Sequence, residues 1–246
     1  MARLFALFAC FTILAAHSAL AEKIIGARYG APTERYAHGV LGDAIEWGEL
    51  ILTTVSPSSG LVKDAVQRRH ERRLVLPLDH VFEDVEPRLF DVDQDGDLEV
   101  IVVETDVARG AALAVYGVFG KLAETPHIGT RNRWLAPLGA ADLDGDGFVE
   151  LAFIDRPHLA KTLRIWRFRA GQLEPVADLP GYTNHRIGEA DIAGGIRACG
   201  GMVPEMIVAT ANWTRVIGIR FDGAGFSTRD IGPHQGRASF AKAMAC

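Results

Sequence analysis

The feature that most constrains this chain is an acidic loop written twice. Asp91-Val92-Asp93-Gln94-Asp95-Gly96-Asp97-Leu98-Glu99 is answered by Asp142-Leu143-Asp144-Gly145-Asp146-Gly147-Phe148-Val149-Glu150. Carboxylates at positions 1, 3, 5 and 9, with a glycine at 6 to allow a sharp turn, let one short stretch wrap oxygens around a hard cation of Ca²⁺ size. Position 7 adds its backbone carbonyl, whatever its side chain. Spacing, glycine and terminal glutamate all recur, which separates the pattern from an ordinary solvated acidic turn.

The residues after each loop exclude an EF-hand. That motif places its bidentate glutamate at position 12 and continues into a helix. Here the glutamate stands at position 9 and leads into Val100-Ile-Val-Val-Glu104 and Leu151-Ala-Phe-Ile-Asp155, short apolar runs that read as buried strands. Loop and strand together resemble the FG-GAP repeats of integrin α-chain propellers and the related bacterial VCBS-type repeats, where such a loop joins the first two strands of a blade. The resemblance implies two Ca²⁺ sites. One takes Asp91, Asp93, Asp95, the Asp97 carbonyl and Glu99, and the other Asp142, Asp144, Asp146, the Phe148 carbonyl and Glu150.

The period points the same way. Weaker copies of the loop are anchored at Asp43 and Asp191, so the four anchors recur at intervals of 48, 51 and 49 residues. A β-rich repeat of about 50 residues is the size of a propeller blade. Hairpins come after the last three anchors, turning at Gly120-Lys121, Ala170-Gly171 and Asp222-Gly-Ala-Gly225. The expected fold is therefore all-β, a propeller of about four four-stranded blades; five blades, or a partial ring completed by dimerisation, are the alternatives. Lys23–Tyr29 is expected to add a strand to the last blade and close the ring. Metal is assigned to neither weak copy, because both lack the carboxylate spacing.

Residues 1–21 read as a secretory signal, with Arg3, an apolar stretch from Leu4 to Ala16, and Ala19-Leu-Ala21 as the cleavage box. Residues 22–235 then form the propeller domain and 236–246 a C-terminal tail. No later apolar run is long enough to span a membrane, which places the mature protein in a bacterial periplasm or outside the cell. Losing Arg3 moves the formal charge from −5 to −6, so nucleic acid is a poor partner. The basic run from Arg68 to Arg73 reads as a solvated face. Two cysteines remain, Cys199 and Cys246, and an even count in an exported chain suggests a disulfide.

Ahead of each repeat lies a polar or aromatic cluster: Arg35, Tyr36 and His38; Glu83 and Asp84; Arg131, Arg133 and Trp134; Asn184, His185 and Arg186. In a propeller the links between blades cross one face toward the axis, so these clusters are expected around one channel mouth. Their arginines suit a carboxylate, phosphate or sulfate. The resulting reading is a binding or scaffolding module for a protein or a small anion. A hydrolase or lyase at the same mouth and a purely adhesive surface protein are the rivals. No nucleophile elbow, zinc-protease helix or phosphate loop is present, and the scattered histidines are a weak catalytic signal.

Overall fold

The computed structural model describes residues 22–56 and 68–246, and the expected signal segment lies outside them. The first unit is an antiparallel meander of β1 (Lys23–Thr33), β2 (Glu46–Val55) and β3 (Arg69–Val75). In the second, the inner strand is broken into β4 (His80–Phe82) and β5 (Arg88–Phe90). Both pair with β6 (Glu99–Asp106), which continues through β7 (Gly110–Gly117) to β8 (Gly120–Glu124). A bridge from Trp47 to Phe82 joins the first two units into one sheet.

The third unit is a four-stranded sheet of β9 (Leu135–Ala141), β10 (Val149–Asp155), β11 (Thr162–Arg169) and β12 (Gln172–Pro180). In the fourth, β13 (Tyr182–Thr183) and β14 (Gly195–Arg197) share the inner position beside β15 (Glu205–Thr210). β16 (Arg215–Phe221) and β17 (Phe226–Pro233) complete it. The protein is thus all-β with several antiparallel sheets, as the alternating strand and turn signals require.

Burial explains why the central strands are the most apolar. β6 and β7 carry no exposed residue, and a strand covered on both faces reads as a continuous apolar run. Outer strands such as β8 and β12 are mostly exposed or half-buried instead. Separate cores fill the spaces between successive sheets. Leu50, Leu52, Val100 and Val102 lie between the first and second units. Val103, Leu113, Leu151 and Phe153 lie between the second and third, and Ile154, Ile165, Val208 and Ile219 between the third and fourth.

Three features differ from the sequence expectation. β1 pairs with β2 rather than with the last unit, because Ile24 and its partly buried neighbours Ala27 and Tyr29 belong to the core that Phe82 and Tyr116 share. Among the described residues the first unit has three strands, and no strand pair joins it to the fourth. The two meet through a loop contact, where Gly188 N–H donates to the Val40 carbonyl at 3.0 Å. The weak anchors also sit apart from the strong ones. Asp43 lies in the β1–β2 connection, whose His38 reaches Glu83 at the far end of β6, while Asp191 lies in the segment separating β13 from β14.

Residues 236–246, read as a tail, carry α1 (Arg237–Met244), which buries Phe240 and Ala243 against the fourth unit. A disulfide between Cys199 and Cys246 fastens its end, with Cα atoms 5.5 Å apart. Closing a loop of 47 residues restricts the unfolded chain. Replacing Cys246 by serine is expected to lower stability by roughly 2–4 kcal/mol, measured by thermal melting without reductant. A variant melting with the wild type would mean that helix packing alone holds the terminus.

Candidate functional site

The two acidic loops fold alike because their own side chains fix the turns. Asp91 and Asp142 each accept from the position-6 glycine, Gly96 N–H at 3.0 Å and Gly147 N–H at 3.1 Å. Asp95 accepts from Asp97 N–H, and Asp146 from Phe148 N–H. Both glycines have φ near +90°, at 91° and 88°, a conformation that only glycine adopts freely. Each closing glutamate then folds back over its loop. Glu99 accepts from Val92 N–H at 2.9 Å and Glu150 from Leu143 N–H at 2.8 Å.

The loops part company in what neutralises them. In the first, oxygens of Asp91, Asp93 and Glu99 lie within 4.8 Å of one another. Among the described residues, the one basic group paired with this loop is Lys23, on Asp97. Burial, together with the charges of Asp93, Asp95 and Asp91, pushes the Glu99 carboxyl up to about 7 against the pull of Val92 N–H. This oxygen-rich set lacking a central counter-ion fits a hard divalent cation.

In the second loop, oxygens of Asp142, Asp144 and Asp146 again lie within 4.8 Å, but Arg167 has entered. Its guanidinium donates to Glu150 at 2.6 Å and Asp144 at 2.7 Å, and stands 2.8 Å from Asp146. Burial still raises the Glu150 carboxyl, though the Arg167 hydrogen bond opposes it. Arg167 faces Glu150 directly across the sheet. The corresponding neighbour of Glu99, one step beyond the Val100–Tyr116 pair, is Gly117.

The fourth unit completes the trend. Glu205 opens β15 opposite Arg197, as Glu99 opens β6 opposite Phe90. No aspartate loop precedes it, and Arg197 and Arg229 donate to it at 2.6 and 2.7 Å. Burial pushes its carboxyl up, but those hydrogen bonds outweigh burial and hold it below the usual range. Arg167 and Glu205 were not singled out in the sequence. Their signal is register: an arginine opposite the glutamate at the strand start, Arg167 where the first loop has Gly117 and Arg197 where it has Phe90.

At the other end of β6 and β10, loops of several units and the link between the second and third meet. A cavity of about 310 Å³ is lined by His38 and Val40, by Asn132, Arg133 and Trp134, by Arg156, His158 and Leu159, and by Ile187. His38 Nδ1 lies 2.5 Å from Glu83, whose other oxygen accepts from Thr105 at 2.7 Å. Trp134 donates its indole N–H to the Glu83 carbonyl. The Tyr36 hydroxyl accepts from Asn132 N–H, with Arg131 over its ring. His185 Nε2 faces the Glu189 carbonyl at 2.8 Å, so its Nδ1 accepts from His158 at 2.9 Å. Burial and the adjacent His185 lower His158 to about 4, so this pair is neutral at pH 7.

The expected ring of arginines does not form. Of Arg35, Arg131, Arg133 and Arg186, only Arg133 lines the cavity. Arg35 is spent on the His80 carbonyl, and Arg186 stacks over Trp213, 4.2 Å from its ring centre. Asp84 is buried against Arg88 and Tyr29, where it ties units together. Asn184 is buried and donates to the Ala136 carbonyl. Arg156 and His158, absent from the expected set, take their places. They come after β10 rather than before a repeat, so a search of the inter-repeat links passes over them.

A family model for an FG-GAP-like repeat matches residues 91–153. The match opens on the first aspartate of the first loop and runs into β10, so it takes in both acidic loops and the sheet between them. Over this span the chain resembles FG-GAP repeat proteins. Neither a curated protein nor a solved structure matches the chain.

Removing Arg167 leaves buried carboxylates without a counter-ion. Arg167→Met is expected to lower stability in chelator by about 3 kcal/mol, the usual cost of orphaning a buried charge. It should also enlarge the stabilisation that Ca²⁺ gives. Asp93→Asn, in the loop without an arginine, should instead raise the melting temperature in chelator by relieving repulsion. Arg167→Met melting with the wild type in EGTA would contradict this assignment.

Proposed function

We propose that the protein is an exported, calcium-stabilised binding module of the propeller type, holding a small anion in the cavity where its units meet. The observation that carries the reading is the convergence on that cavity of loops from the first, third and fourth units and of the link between the second and third, beside Arg133 and Arg156 and away from the acidic loops. A concave site with a few convergent polar groups is the default location for a ligand, and guanidinium groups favour carboxylate, phosphate or sulfate. Calcium is assigned a structural role. It replaces the mutual repulsion of Asp91, Asp93 and Glu99 with ligand bonds, so its binding energy becomes folding energy. The propeller arrangement is supported by the family match and by the Val40–Gly188 contact between the first and fourth units. Export is supported by the leader pattern and by the disulfide, which persists in oxidising compartments. Among the described residues no helix is long and apolar enough to cross a membrane.

One observation favours a second reading, an enzyme at the same cavity. His38 is held by the buried Glu83, and a histidine oriented by a carboxylate is the usual form of a general base. Turnover of an ester or glycoside abolished by His38→Ala would select it.

The pH dependence of the metal loop is set by Glu99. Its folded value of about 7 lies above the ordinary 4.5, so the metal-free fold holds this proton more tightly than the unfolded chain does. That contribution is complete below about pH 4.5 and is lost as pH rises through about 7. The melting temperature in EGTA should therefore fall across this window, and the increment from millimolar Ca²⁺ should grow across it. An increment independent of pH would remove Glu99 from the ligand set. For the cavity, saturable binding of sulfate or acetate, read by calorimetry, should weaken at least tenfold in Arg133→Ala. Equal binding in the variant would place the anion elsewhere.

A further inference from the structure

A third cluster of metal-ligand side chains lies outside both acidic loops and outside the cavity. It joins His80 at the start of β4, Asp106 at the end of β6, and His127 in the link between β8 and β9. One ligand atom from each lies within 4.8 Å of the others. The sheet register builds it. His80 and Asp106 are direct cross-strand partners, which points their side chains to the same face. On the other side Asp106 pairs with Gly110, whose carbonyl oxygen holds His127 Nδ1 at 2.7 Å. Gly110 must be glycine: its φ is +79°, and a Cβ would stand 2.5 Å from the Thr130 carbonyl.

The hydrogen bonds set both rings in one tautomer. His127 donates through Nδ1 to a carbonyl, and its Nε2 is buried without a partner. His80 Nδ1 faces the Asp79 carboxylate at 2.9 Å, and its Nε2 stands 3.8 Å from both Asp106 and Glu104. A metal-binding histidine characteristically donates one nitrogen to a carboxylate or carbonyl and offers the other to the ion. Both histidines here do so. Asp106 carries Arg109 on Oδ2 and backbone N–H groups on Oδ1, yet a carboxylate has about four lone-pair sites, which leaves one for a metal. Two imidazole nitrogens and one carboxylate oxygen suit zinc far better than calcium, which takes oxygen ligands.

We infer that His80, Asp106 and His127 form a binding site for a divalent transition-metal ion of the zinc class, separate from the acidic loops. Zinc prefers four ligands, so this set leaves one position to water. The site stands on its own residues, independent of the calcium loops and of the anion cavity.

The test is calorimetric titration of Zn²⁺ into EDTA-treated, dialysed protein in saturating Ca²⁺, with Co²⁺ as the spectroscopic probe. One Zn²⁺ per chain is expected, together with visible Co²⁺ absorption characteristic of nitrogen ligation. Affinity should fall at least tenfold in His80→Gln and His127→Gln. Asp79→Asn, at an exposed residue whose replacement leaves the core untouched, should weaken binding by roughly 10–100-fold through its hold on His80. No Zn²⁺ or Co²⁺ binding by the wild type, or binding of equal strength in the folded His127→Gln and Asp79→Asn variants, would overturn the site.

Discussion

In the last three units the second strand carries a buried glutamate at or next to its start, and the end of each sheet depends on how that charge is met. Glu99, Glu150 and Glu205 are at most 7% exposed, and an ionised carboxylate so placed needs a partner or keeps its proton. Glu205 has arginines and sits below its usual range. Glu150 shares Arg167 with two aspartates. Glu99 has only other carboxylates and a backbone N–H, and is pushed up to about 7. The same strand position is thus served by guanidinium groups in one unit, by a guanidinium and aspartates in the next, and by aspartates alone in the third. Calcium in the first acidic loop, as proposed, supplies the one counter-charge that the chain does not.

What was legible in the sequence was local. Gly96 and Gly147 fixed the turn, the position-9 glutamates fixed the strand starts, and the apolar runs after them became the most buried strands. All of this sits within a few residues of the chain, where spacing is geometry. What was not legible depends on pairing between distant residues. Arg167 lies 17 residues beyond Glu150 on the next strand, and only register places it against that glutamate. His80 and His127 looked scattered, and only the broken inner strand and the Gly110 carbonyl bring them together. Likewise β1 could be assigned to the last unit until the core containing Ile24 and Phe82 placed it on β2.

The cavity was half legible for a related reason. Clusters ahead of each repeat were found because links between sheets carry polar residues, and His38, Glu83, Trp134 and His185 do gather. Their roles divided by the partner each one reaches. Glu83 and Asp84 are adjacent, yet one holds His38 while the other holds Arg88 in the interior. Long arginines reach whichever acceptor lies near, and for Arg35 that acceptor is a carbonyl rather than the open cavity. The cavity is accordingly bordered by side chains held in fixed hydrogen bonds beside Arg133 and Arg156, while the acidic loops lie away from it.

The most direct measurement is a calorimetric titration of Ca²⁺ into chelator-treated wild-type protein near neutral pH, repeated with Asp93→Ala and Asp144→Ala. If Arg167 already serves the second loop, one tight site will appear, lost in Asp93→Ala and kept in Asp144→Ala. Two sites of equal affinity, or a tight site lost only in Asp144→Ala, would contradict the division of labour between arginine and metal.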